Sequence, residues 1–204
     1  MLLYWKADLT KPCNYTAVKL MNKEYRKFGV AVKITLAAVF AALVFVVTSL
    51  IPPIPIPATG GYFNLGEATI YVAALLFGPF VGAFSGGIGA MLADIYLGYG
   101  LFAPGTLIIK GVEGAMVGFL NIKLRKYVPN PTLRAIIAVV VGGLEMVAGY
   151  FLYETLLAVL FPGLEIFAIA EIPLNIGQML VGLIIAVPIM HAVLRVFPQL
   201  KSQI

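Results

Sequence analysis

Six stretches of this chain are apolar over lengths that suit a helix in hydrocarbon: residues 30–50, 63–77, 79–97, 103–120, 132–160 and 171–197. About 20 apolar residues of α-helix cross a bilayer core, where every backbone N–H and C=O must be satisfied internally. The pattern therefore predicts an all-α integral membrane protein, a six-helix transmembrane bundle. Composition agrees: 61% of the 204 residues are hydrophobic and 11% charged, against about 25% charged in soluble domains. The second stretch is short, roughly 22 Å as a helix, and is expected to begin below the membrane surface. Ahead of it, Pro52-Pro53-Ile54-Pro55-Ile56-Pro57 fixes φ and removes donors, which predicts a stiff, extended external lid loop.

The basic residues set an orientation. Lys6, Lys11, Lys19, Lys23, Arg26 and Lys27 precede the first stretch, Lys123, Arg125, Lys126 and Arg134 surround the fourth connection, and Arg195 and Lys201 close the chain. The first, third and fifth connections hold no Lys or Arg. Both termini are thereby predicted to be cytoplasmic in a multi-pass protein of the cell membrane. Basic residues that flank apolar segments, and form no stripe of their own, argue against nucleic acid as a partner despite the net charge of +5. One cysteine, Cys13, excludes an internal disulfide framework and thiolate metal clusters.

Residues 1–29 read as a cytoplasmic N-terminal extension, 30–197 as the membrane domain and 198–204 as a cytoplasmic tail. Val18, Met21, Tyr25 and Phe28 share one helical face among Lys19, Lys23, Arg26 and Lys27, the pattern of a membrane-surface helix. The alternative reading is a dispensable extension ahead of a start at Met21.

Function is written in the polar residues of the apolar stretches. Glu171, Asn175, Gln178 and Gly182 follow at spacings of four, three and four, which puts them on one face of a helix. An ionisable group in hydrocarbon is costly unless it is paired or faces a wet cavity, so this stripe predicts a binding site. At a rise of about 1.5 Å per residue, Asp94, Lys110, Glu113 and Glu145 fall in the outer half of the membrane with the stripe. The inner half is apolar and rich in small residues. A bowl open outside and closed below is the expected shape, with Asn64, Lys110, Glu113, Glu145, Glu171, Asn175 and Gln178 lining or supporting it and Tyr150 and Tyr153 placed to stack on a ring. Net acidity favours a cationic or donor-rich ligand, while Lys110 leaves an anionic group open.

Each charge also has a plainer reading. Lys110 and Glu113, three apart, neutralise each other within one helix. Asn64 and Glu67 stand at capping-box spacing, which makes Glu67 structural. Glu154, nine residues after Glu145, lies on the opposite face and is expected to be solvated. His191 falls near the cytoplasmic end of the last helix, where a helix-terminus role is expected.

Small residues form a second pattern. Gly82, Gly86 and Ala90, and Gly114 and Gly118, are spaced for close helix packing inside the protein. Ala37, Ala38, Ala41 and Ala42 make two overlapping pairs on the first helix, toward the cytoplasmic half, where a partner can dock.

The run Asn64-Leu65-Gly66-Glu67, Leu75-Leu76-Phe77-Gly78-Pro79 and Gly86-Gly87-Ile88-Gly89-Ala90-Met91-Leu92-Ala93-Asp94, extended by Ala103-Pro104-Gly105-Thr106-Leu107-Ile108-Ile109-Lys110-Gly111, resembles the substrate-binding (S) components of energy-coupling factor vitamin transporters, in the riboflavin-transporter-like branch. The resemblance covers about residues 30–195. It implies a subunit that captures a vitamin or vitamin precursor outside and topples in the bilayer to release it. Riboflavin or a pyrimidine or pyridine vitamin is the expected cargo. A transmembrane coupling subunit and two ATPases are the implied partners; the chain itself needs no cofactor, and ATP is used by the ATPases. An alanine-xxx-alanine motif on the first helix of such proteins contacts the coupling subunit, and Ala37/Ala41 or Ala38/Ala42 matches it here.

The competing reading is a stand-alone proton- or sodium-coupled carrier using Glu113, Glu145 or Asp94. No internal repeat of the kind such carriers carry is visible. An enzyme would need a nucleophile–base pair or metal ligands, and the single His191 and Cys13 lie away from the polar groups. No P-loop pattern is present.

Overall fold

The structure is a computed structural model that describes residues 29–51, 54–56, 61–163 and 168–202. Among the described residues six α-helices make the bundle: α1 (Val30–Ser49), α2 (Gly66–Phe77), α3 (Pro79–Leu97), α4 (Ala103–Lys123), α5 (Pro131–Leu160) and α6 (Ala168–Val196). Two short strands, β1 (Ile54–Ile56) and β2 (Gly61–Phe63), lie between α1 and α2. The surface helix expected within residues 14–28 falls outside the described residues, as do residues 52–53 and 57–60 of the proline-rich connection.

Helix α2 is the centre. Ten of its twelve residues are buried, packed between α1, α3, α4 and α6. Around it α1, α3, α4, α5 and α6 follow one another by contact. Among the described residues four helices (α1, α3, α5 and α6) are long and apolar enough to cross a membrane. The other two belong to the bundle for different reasons: α2 is too short but enclosed by protein, and α4 turns its charges inward. Outward-facing Ile34, Val39, Phe80, Phe84, Leu144, Leu152 and Ile184 are exposed, as a lipid-facing surface requires.

Local sequence explains the turns. Gly78 has φ 87°, which lets α2 run straight into α3, and Pro79 starts α3 where its missing N–H costs nothing. Asn130 caps α5, its Oδ1 accepting from Thr132 N at 2.9 Å and Leu133 N at 3.2 Å. The expected packing of small residues is present between α3 and α4. A Cβ on Gly82 would collide with the Gly114 carbonyl, and one on Gly86 would lie 2.6 Å from the Lys110 carbonyl. The backbones touch at both points, with glycine on both sides where Gly82 meets Gly114 and on one side where Gly86 meets Lys110.

The lid loop is a hairpin. Ile54, Pro55 and Ile56 pair antiparallel with Phe63, Tyr62 and Gly61. Alternating Pro and Ile leaves N–H groups only at Ile54 and Ile56, which lie on one strand edge, so the segment can pair on that side. The pairing takes residues 61–63 into a strand, and α2 starts at Gly66 instead of residue 63.

The core is divided by depth. Tyr71, Leu75, Leu76, Val117, Val139, Met190 and neighbours form an apolar cluster toward the end where Lys123, Arg125, Lys126, Arg134 and Arg195 gather. Toward the hairpin end the interior opens into a polar cavity.

Candidate ligand-binding site

The cavity measures about 60 Å3 and takes residues from every helix and from the hairpin. Helix α6 supplies the expected stripe: Glu171, Asn175 and Gln178 are buried and line it. One turn below them, Gly182 lets α6 close on α2; a Cβ there would lie 2.8 Å from Tyr71 Cε2 and 2.9 Å from Glu67 Cβ. Gln178 Nε2 donates to Asn175 Oδ1 at 3.3 Å, and Gln178 Oε1 accepts from Asn64 Nδ2 at 2.9 Å. Asn64 Oδ1 in turn accepts from Gly66 N at 2.8 Å. Three amide side chains thus tie the hairpin to α6 and to the start of α2.

Lys110 forms the floor. Its ammonium pairs with Glu67 on α2 and lies 3.3 Å from Glu113 Oε2, one turn along its own helix. It also stands 5.3 Å from the centroid of the Tyr150 ring, a cation–π distance. Glu113 accepts from Tyr71 at 2.7 Å and is fully buried. The lysine is therefore shared between two carboxylates before any ligand arrives. Glu67 does not close a capping box: the N-cap of α2 is Leu65, Asn64 accepts from Gly66 N, and Glu67 pairs with Lys110 instead. A carboxylate at the centre of the bundle is stabilised more by an ammonium than by a helix terminus, and α2 is rotated to make that pair.

Aromatic side chains also line the cavity. Tyr62 and Tyr99 pack with ring centroids 4.7 Å apart, and Phe102 meets Tyr99 edge-on at 6.4 Å. All three line the cavity with Tyr150. Tyr62 donates to Asp94 Oδ1 at 2.6 Å. Burial, then the Asp94 carboxylate, hold the Tyr62 phenol well above its ordinary pKa, so it stays a donor at neutral pH. Tyr150 donates to Thr106 Oγ1 at 3.1 Å.

Residues 30–195 match the description "ECF-type riboflavin transporter, S component". The chain belongs to that family. Among relatives, the thiamine precursor transporter HmpT of Lactococcus lactis subsp. cremoris is 32% identical over 170 residues, 83% of this chain and 89% of its own length. An uncharacterized protein of the gap 3′ region from Pyrococcus woesei is 45% identical over 104 residues, 51% of this chain and 66% of its own. A UPF0397 protein from Streptococcus agalactiae is 31% identical over 93 residues, half of that protein.

In this S component the expected site residues separate into two layers. Asn64, Lys110, Tyr150, Glu171, Asn175 and Gln178 line the cavity. Glu113 lies beneath it, behind Lys110. Glu145 and Tyr153 are not among the lining residues. Helix α5 presents Tyr150 and Glu154, four apart, to the cavity, and Glu145 precedes Tyr150 by five residues, about 140° around the helix. Tyr153 packs on Gly105 and donates to the Leu101 carbonyl at 2.9 Å, on the outer rim. The expectation that Glu154 is solvated is overturned: it is 3% exposed and lines the cavity. Glu145 and Glu154 lie on opposite faces of α5, and Glu154 is the one that faces the cavity.

Asp94, Glu67, Tyr62, Tyr99, Phe102 and Thr106 also line the cavity, beyond the expected set. Asp94 carried a signal in its depth; the aromatics lie in connections, where no periodicity marks a face. The small stripe of α1 also splits. Ala37 and Ala41 are buried in the bundle, Ala37 beside Ala73 and Val81, so they are not available to a partner. Ala38 and Ala42 face outward. His191, expected to serve a helix terminus, shares a hydrogen bond of 2.9 Å with Thr132 Oγ1 across to α5.

The cavity holds four carboxylates (Glu67, Asp94, Glu154 and Glu171) against one ammonium. Glu67 Oε2, Asp94 Oδ2 and Glu154 Oε2 are buried without a hydrogen-bond partner among the described residues. Buried acceptors left in this state need donors, from water or from a ligand.

Proposed function

We propose that this S component captures a small, amine-bearing, one-ring heterocycle, a vitamin or vitamin precursor, for ATP-driven uptake. The observation that carries the reading is the cavity itself: aromatic rings and carboxylates side by side in its lining, with carboxylate oxygens awaiting donors and its lysine already shared. A protonated or aminated aromatic ring meets both kinds of group at once, by stacking and by charge-assisted hydrogen bonds. The 32% identity to a thiamine precursor transporter supports an aminopyrimidine within that class.

Size supports it too. An apolar cavity of about 150 Å3 accepts a single benzene ring, and the space here is about 60 Å3. A one-ring ligand needs modest opening of the hairpin. The three-ring isoalloxazine of riboflavin would need far more, although the family is described by that vitamin.

By the positive-inside rule the basic end is cytoplasmic and the cavity opens outward. Both termini are then cytoplasmic. With no P-loop in the sequence, energy comes from two partner ATPases through a transmembrane coupling subunit, for which Ala38 and Ala42 present the outward small-residue face on α1. Release inside by toppling of the loaded bundle is part of the same proposal.

The test is a thermal-shift and calorimetric panel on the purified protein with 4-aminopyrimidine, pyridoxamine, thiamine, pantothenate and riboflavin. Tightest binding by a one-ring amine is expected. Tightest binding by riboflavin or pantothenate overturns the substrate class, and no binding by any of them overturns the capture of a vitamin.

A further inference from the structure

Two buried carboxylates of the ligand cavity stand on different helices and differ in what they need. Asp94 lies on α3 and Glu154 on α5; they are 4% and 3% exposed, and both line the cavity. Each keeps one buried oxygen, Asp94 Oδ2 and Glu154 Oε2, with no hydrogen-bond partner among the described residues. Helices α3 and α5 each pack on α4, and neither carboxylate is among the charges that act on the other. They are therefore two separate acceptors, not one acidic cluster. We propose that the ligand meets both, with a ring amino group on Asp94 and a separate ammonium arm on Glu154. The cargo is then a diamine, an aminated one-ring heterocycle with an aminoalkyl substituent. This rests on the reading of the cavity as a site for a one-ring amine.

The surroundings assign the two ends. Asp94 already accepts from Tyr62 at 2.6 Å through Oδ1, and Tyr62 packs on Tyr99 with centroids 4.7 Å apart. A carboxylate half satisfied by a phenol has room for one more N–H, and beside aromatic rings an aromatic amino group supplies it while the ligand stacks. Glu154 is different, because no hydrogen bond reaches it from any described residue. The ammonium in the cavity lining, that of Lys110, is held by Glu67 and Glu113. The charge that acts on Glu154 is instead that of another carboxylate, Glu171. A carboxylate taken out of water with no donor needs a full cation more than a neutral N–H. An alkylammonium brings the charge and several N–H donors together.

Spacing allows one small molecule to reach both. Glu154 follows Tyr150 by four residues, one turn or about 6 Å along α5. Tyr150 donates to Thr106 on α4 at 3.1 Å, and Thr106 lies beside Asp94. A ring held near Tyr150 and Asp94 thus has Glu154 one turn further along α5, a gap that a short aminoalkyl arm spans.

The experiment is isothermal calorimetry on the full chain with three probes. These are 4-amino-5-(aminomethyl)pyrimidine, its 5-hydroxymethyl analogue, and 5-(aminomethyl)pyrimidine, which lacks the ring amino group. Wild type is expected to bind the diamine roughly ten-fold more tightly than each of the others, the effect of one charge-assisted bond. Glu154→Gln should remove the preference for aminomethyl over hydroxymethyl and keep the preference for the ring amino group. Asp94→Asn should lower the second preference and keep the first. Equal affinity of wild type for the diamine and the hydroxymethyl analogue overturns the proposal and leaves the one-ring amine reading standing. Binding of none of the three overturns that reading as well. Loss of both preferences together in Glu154→Gln, at an unchanged melting temperature, also overturns the proposal by making Glu154 a support of the cavity's shape. The wild-type comparison varies the ligand alone, so it decides the matter even where a variant fails to fold.

Discussion

Tyr62 donates to Asp94 Oδ1 at 2.6 Å, which fastens β2 to α3 at the mouth of the cavity. The bond joins residues 32 apart in sequence, and with the Asn64–Gln178 bond it gives the hairpin one attachment on each side of the opening.

Tyr62→Phe tests the first attachment. A hydrogen bond to a charged partner contributes about 1.5–3 kcal/mol, so affinity should fall roughly ten-fold or more. Stopped-flow measurement should assign most of the loss to faster dissociation. An unchanged off-rate would mean that the hairpin does not retain the ligand.

Lys110→Met should be among the most destabilising single changes. It leaves Glu67 and Glu113 buried without their cation, a loss of about 3–5 kcal/mol for a broken buried pair. Lys110→Met combined with Glu67→Gln should recover a good part of it, because one of the two stranded charges is gone. Thermal melting in detergent reads both. If the double variant melts below the single one, the carboxylates are stabilised by something other than the lysine.

Glu154→Gln and Glu145→Gln should behave oppositely. Glu154 lines the cavity with an unpartnered buried oxygen, and Glu145 lies off it. Removing the charge at Glu154 should weaken a cationic ligand about ten-fold, the effect of one charge-assisted bond. The Glu145 variant should stay within two-fold, as a change outside the site does. Calorimetry that ranks them the other way would put the cationic ligand elsewhere.

The alanines of α1 divide by face. Ala38→Leu with Ala42→Leu should leave ligand affinity and melting temperature nearly unchanged while preventing co-purification with a coupling subunit. Ala37→Leu should instead overpack the contact with Ala73 and Val81, at about 1–3 kcal/mol. Co-purification that survives the Ala38/Ala42 change would remove this face from the interface.

Much of the architecture was legible because hydrocarbon imposes a simple rule. A long apolar stretch must be a helix, and polar residues within it must point inward. That rule located the bundle, the short second helix and the Glu171–Asn175–Gln178 stripe. It failed for Glu67 because capping-box spacing is a local pattern, while an ion pair with Lys110 joins residues 43 apart. It failed at Glu154 because a helix has two faces, and the spacing alone does not say which of them meets the interior. It missed Tyr62, Tyr99 and Phe102 because connections carry no period.

The sequence by itself determined that six apolar segments pack as helices and that one polar face of α6 is buried. Periodicity and the cost of unsatisfied groups in lipid are properties of each segment alone. Only the tertiary structure decided which carboxylates share Lys110, which face of α5 meets the ligand and which alanines remain outside. These depend on how each helix is rotated about its axis, and that rotation is set by close contacts such as Gly82 on Gly114 and Gly182 on Tyr71, which exist only once the helices have met.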